Sequence, residues 1–111
     1  MINELIIKAL KNIDMPVKFG IRGELKPPCI IFNYYSEPYA RSTEGTELIK
    51  YRVLLNFYFK GDFISEIQNI EKSLNDAGFI SILIANVIYN DNLKCWVVPM
   101  EFTKVLEREL K

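Results

Sequence analysis

The sequence predicts an α+β fold, one mostly antiparallel β-sheet with two α-helices packed on one of its faces. Two amphipathic stripes at helical spacing, near residues 2–13 and 63–77, and a long strand-period alternation over residues 48–59 carry that expectation. The chain has 111 residues, enough for one compact core and little more. No linker, internal repeat or low-complexity tract divides it, so residues 1–111 read as a single domain.

In the first element, Ile2, Leu5, Ile6, Ala9, Leu10 and Ile13 follow the three-and-four spacing of one helix face, while Lys8, Lys11 and Asn12 fall elsewhere. Pro16 biases Met15 toward extended backbone, so the helix is expected to stop near Asn12 or Ile13 and a short strand to occupy residues 17–21. Gly20 and Gly23 then mark a turn or bulge. Pro27 and Pro28 give a rigid lead-in to CIIFNYY, a strand by its branched and aromatic residues, with Ile30, Phe32 and Tyr34 toward the core.

The polar stretch NYYSEPYARSTEGTE, residues 33–47, interrupts the apolar pattern, and residues 36–46 read as a mobile loop. Beyond it, Tyr51, Val53, Leu55, Phe57 and Phe59 share one strand face. The opposite face carries Lys50, Arg52 and Asn56 together with Leu54 and Tyr58, a mixture suited to a partner surface. Asp62 stands where an N-cap belongs, and Phe63, Ile67, Ile70, Leu74 and Ala77 form the stripe of the second helix. Gly78 suits the left-handed turn at its end, with Phe79 packing back on Leu74.

A strand over residues 79–83 and a hairpin turning at Asn90, Asp91 and Asn92 follow, before a last strand over residues 93–103. Pro99 cannot donate a ladder hydrogen bond, so that strand is expected to be an edge or to bulge there.

Composition excludes more than it assigns. Lys plus Arg and Asp plus Glu each number 14, a formal net charge of zero that gives no basic footprint for nucleic acid and little long-range repulsion between copies. There is no histidine, which removes the commonest general base and neutral metal ligand. Glu44 with Glu47, and Glu107 with Glu109, are carboxylate pairs of the kind that usually form a solvated surface. No glycine pattern matches a phosphate-binding loop. Cys29 and Cys95, too few and too isolated for a metal site, read as buried free thiols rather than a disulfide. The expectation is therefore a protein that is not an enzyme and has no catalytic residue, cofactor or metal.

MINELIIKALK carries Glu4 among its apolar positions and lacks a small-residue cleavage site, so it reads as part of the fold. The apolar run FISILIANVIY is broken by Ser81 and Asn86 and is too short to span a bilayer as a helix. No membrane partner and a soluble protein are expected.

The order of segments carries a resemblance: a short first helix, VKFGIRGELKPPCIIFNYYSE, a polar loop, YRVLLNFYFKGDF, a helix ending in DAGF, and a closing apolar strand WVVPMEF. This order, over residues 2–102, resembles the tail-terminator, or tail-completion, proteins of long-tailed bacteriophages and prophages. The closest correspondences are Pro28 with the strand after it, residues 51–59 with the following Lys60, Gly61 and Asp62, and the pair Gly78 and Phe79. Where many such proteins have a Tyr-His-Lys-like stretch, this chain has Trp96, Val97 and Val98, so no polar contact is carried over at those positions.

The resemblance implies a structural virion protein: a hexameric ring of identical subunits that caps the tail tube, ends its polymerisation and offers a surface for head–tail joining. Its partners would be itself, the tail tube protein and a head-completion protein, without sequence-specific nucleic acid. It would act in the host cytoplasm during assembly and then at the head-proximal end of the tail. In that setting Tyr39, Arg41, Glu44 and Glu47 are expected to supply directional contacts from the polar loop. The competing readings are another ring-forming head–tail connector, a small ligand- or peptide-binding α+β domain, and an enzyme using carboxylates in a pocket.

Overall fold

A computed structural model describes the backbone of residues 2–41, 45–61 and 64–109. The elements in chain order are α1 (Ile2–Ala9), β1 (Val17–Phe19), β2 (Cys29–Arg41), β3 (Thr46–Phe59), α2 (Ile64–Asp76), β4 (Ile80–Ile84), β5 (Ile88–Asn90) and β6 (Cys95–Glu109). Two helices and a six-stranded, mostly antiparallel sheet make this an α+β fold. The strands lie in the order β1-β2-β3-β6-β4, and β5 also pairs with β6. Among the described residues only the β1–β2 pair is parallel.

Helix α1 ends at Ala9, earlier than its apolar stripe suggests. The stripe nevertheless continues through tight turns, with the Lys11 amide donating to the Lys8 carbonyl at 3.3 Å and that of Ile13 to Leu10 at 3.0 Å. Leu10 and Ile13 therefore stay buried outside the helix. Strand β1 stops at Phe19 because Gly20, at φ 98°, turns the chain away, leaving Ile21 exposed.

Helix α2 ends as its sequence indicates. The Phe79 amide donates to the Leu74 carbonyl at 2.9 Å and the Gly78 amide to Asn75 at 3.0 Å, the paired bonds of a Schellman ending. Gly78 has φ 93°, and Lys104 Nζ, donating to the Ala77 carbonyl at 3.2 Å, occupies the space a Cβ would need. Phe79 is buried as expected, but Ala77 is exposed rather than part of the stripe. The expected N-cap Asp62 and the stripe residue Phe63 lie outside the described residues.

The largest departures concern the polar stretch and the last strand. Residues 36–41 are not loop: β2 continues through them, pairing Ser36 with Tyr51, Glu37 with Lys50, Pro38 with Ile49 and Arg41 with Glu47, with a bulge at Tyr39. Likewise β6 runs on past Thr103 to Glu109, paired without a break from Phe59↔Trp96 to Thr46↔Glu109. A fourteen-residue middle strand offers main-chain partners along its whole length on both sides, and that ladder overrides the polar composition of its neighbours.

Pro99 reconciles its ring with a strand that is neither an edge nor bulged against β3. Its carbonyl accepts from the Ala85 amide at 2.9 Å, on the side away from β3. The proline nitrogen faces that same side, in the interval between β4 and β5 where no strand needs a donor.

One buried cluster joins Ile2, Ile6 and Leu10 to Ile70 and Leu74 and to alternate strand residues, among them Phe32, Val53, Leu55, Phe57, Val98, Met100 and Phe102. Val53, Leu55, Phe57 and Phe59 are thus the core face of β3, as their alternation predicts. Leu55→Ala should cost about 2–5 kcal/mol, the usual range for a buried leucine. Leu54→Ala, one residue along and on the opposite face, should cost less than about 1 kcal/mol. Urea unfolding of the two variants checks this, and equal losses would mean that the face is misassigned.

Candidate assembly surface

The molecule is elongated, 52 × 25 × 23 Å. Fourteen residues of strand, at about 3.3 Å each, account for most of the long dimension. The fully buried cluster ends along the strands at Phe32, Val53 and Phe102, and only Tyr34, Tyr51 and Leu106 join it from farther out, partly buried. What extends beyond is a three-stranded arm made of the far end of β2, the start of β3 and the far end of β6.

The four residues expected to make contacts from the polar loop fall differently on this arm. Tyr39, the bulge residue, is 59% exposed, with the Lys50 Nζ 5.7 Å from its ring centroid. Arg41 ends β2, directly opposite Glu47 in register. Glu44 lies outside the described residues. Glu47 is only 6% exposed and stands in register between Arg41 on one side and Arg108 on the other. It therefore belongs to the interior of the sheet rather than to a projecting loop, a correction that follows from the extra length of β2. Of the second acidic pair, Glu107 is exposed on β6 opposite Leu48.

The face opposite the core carries a second set of features. Arg52 bridges three strands, its Nε 3.4 Å from Glu37 on β2 and its Nη1 3.1 Å from Glu101 on β6. Around this network Leu54, Ile80, Leu83 and Val105 are exposed, all on this face by their register with Glu101, Thr103 and Lys50. Leu54, Asn56, Leu83, Pro99 and Glu101 border a cleft of about 260 Å³. Leu54 and Arg52 were legible from the β3 alternation. Ile80, Leu83 and Val105 were not singled out, although the run ISILI, apolar at every position but Ser81, was a signal for the first two.

Toward the other end of this face, Cys29, Ile31 and Cys95 are buried. Arg22, from the segment after β1, reaches over the Tyr58 ring at 6.0 Å. Burial pushes the Cys29 thiol above its ordinary value, with Arg22 opposing the effect and Cys95 adding to it. Both cysteines are free. A more apolar depression of about 360 Å³, on the core side, is lined by Phe59, Gly61, Ile64, Val87 and Trp96.

Among the described residues, no three acidic or cysteine side chains group as a metal site, and no helix is long and apolar enough to cross a membrane. The arrangement favours contact chemistry: exposed apolar side chains beside fixed ion pairs, on a sheet longer than its core. Compared with family models and with curated proteins, the chain matches none.

Because Glu47 is buried within the ladder, Glu47→Lys should lower the melting temperature of the isolated chain. Tyr39→Ala, at an exposed bulge, should change stability by no more than about 0.5 kcal/mol. Thermal unfolding of both variants tests the distinction, and a tolerated Glu47→Lys would return that position to the surface.

Proposed function

We propose that this chain is the subunit of a ring that caps a bacteriophage tail tube, ends its growth and presents a surface for joining the head. The observation that supports the reading most is the arm, a three-stranded extension beyond the buried cluster whose outer strands end the sheet on either side. A lone domain gains little from so much strand beyond its main buried cluster, whereas an assembling subunit uses it as contact surface. The exposed apolar residues around the Arg52 ion pairs add a second surface of the kind that partners cover.

A head-to-tail contact repeated about an axis consumes its adhesive surfaces when the ring closes, so a ring can end a tube without itself growing into a filament. That requirement fits a near-neutral domain, which has little net charge to keep copies apart. The order of segments that resembles tail-terminator proteins supplies the identity of the tube, and the six-fold ring comes from the same resemblance.

Deletion of the gene from its phage, with particles imaged by electron microscopy, tests the role. Overlong tails, or tails unattached to heads, are expected. Normal-length tails joined to heads would exclude it. Glu44→Lys should weaken assembly more than it lowers the melting temperature of the dilute chain, because reversing a charge at an interface opposes a matched partner.

A further inference from the structure

Where the strands of the arm lose their neighbours, the direction of their main-chain groups is fixed by three hydrogen bonds. The Ile30 amide donates to the Pro16 carbonyl at 2.9 Å and the Gly20 amide to the Phe32 carbonyl at 3.0 Å, so the even-numbered residues of this part of β2 face away from β3. The β2–β3 register is unbroken from Cys29 to Pro38, which carries the same outward direction to Tyr34, Ser36 and Pro38. On β6 the Ala85 amide donates to the Pro99 carbonyl, so the odd-numbered residues face away from β3. The last pair with β4 is Ile80↔Thr103. Val105 and Glu107 therefore face outward with no strand beside them among the described residues.

We propose that these two edges pair with each other between copies of the chain, residues 104–109 of β6 lying parallel to residues 36–41 of β2 in the next subunit. The proposal deepens the ring reading above and rests on it. Direction agrees: β2 and β6 are both antiparallel to β3, so arms standing side by side around an axis bring β6 of one copy parallel to β2 of the next. Level agrees as well. Tyr51 is opposite Ser36 on one side and Lys104 on the other, and Glu47 is opposite Arg41 and Arg108, so the open parts of the two edges stand at the same height.

The β2 edge already accepts a parallel strand in β1, which pairs with Ile30, Ile31 and Phe32 and then turns away at Gly20. A neighbouring β6 would continue that pairing where β1 ends. Pro38 removes one outward donor and keeps its carbonyl, so the open edge still offers the amides and carbonyls of Tyr34 and Ser36 and the Pro38 carbonyl. Tyr35 and Val105, 51% and 41% exposed, lie on the same sheet face by register and would become near neighbours across the joint. The joint is heterologous and uses each edge once, so it closes without leaving either open.

Proline substitution at outward-facing amides tests this, because those amides have no strand beside them among the described residues. Ser36→Pro and Val105→Pro are each compared with the unaltered full-length chain by mass photometry across a concentration series and by thermal unfolding of the dilute chain. The expected result is a melting temperature close to that of the unaltered chain with assembly weakened by about tenfold or more. Rings formed equally well by both variants would overturn the edge pairing and leave the ring function standing. A chain that remains monomeric throughout would overturn both, and a two-fold dimer sensitive only to Ser36→Pro would replace the head-to-tail joint by pairing of two β2 edges.

Hydrogen exchange on the unaltered chain keeps the test open if a proline variant fails to fold. The amides of Tyr34, Ser36, Val105 and Glu107 should slow by about tenfold on association. Equal exchange in free and associated states would overturn the proposal.

Discussion

The structure depends above all on the antiparallel ladder between β3 and β6. It runs without a bulge from Thr46↔Glu109 to Phe59↔Trp96, and both faces of the sheet take their side chains from it. Its register puts Val53 beside Phe102, Leu55 beside Met100 and Phe57 beside Val98, which fills the core side. The same register sets Arg52 beside Thr103 and Leu54 beside Glu101 on the other side. A slip of one residue would exchange the two sets and bury an arginine in place of a valine, so the alternation enforces the register it depends on.

The ladder is also longer than the core it supports. Helix side chains and strand side chains share one buried cluster, but that cluster is exhausted before the strands are. The remaining pairs satisfy their main-chain groups in the middle of the arm, and among the described residues no strand covers the outer sides of β2 and β6 there. The fold thus has two parts along one axis: a fully buried apolar cluster at one end and strand surface beyond it at the other.

Much of this was legible in the sequence. The β3 alternation gave the buried face residue by residue, and Gly78 followed by Phe79 gave the end of α2 together with the packing of Phe79. The lengths of β2 and β6 were not legible, because Ser36, Glu37 and Pro38 have turn-like chemistry and their strand conformation comes from pairing with Lys50, Tyr51 and Ile49, far away in sequence. That pairing is a tertiary effect that local composition does not contain. The same cause moves Glu47: as a loop carboxylate it would face a partner, whereas as part of a ladder it is buried, in register with Arg41 and Arg108. Tyr39, expected in a loop, lies in β2 and is exposed because it occupies the bulge. Pro99 announced an irregularity, and the three-dimensional pairing decided that it would be the gap between β4 and β5.

The most direct measurement of the central claim is single-particle electron microscopy of the purified chain at concentrations where it associates. The account requires closed rings of fixed copy number, with the three-stranded arms of neighbouring subunits side by side. Monomers at every concentration, or open filaments of indefinite length, would contradict it.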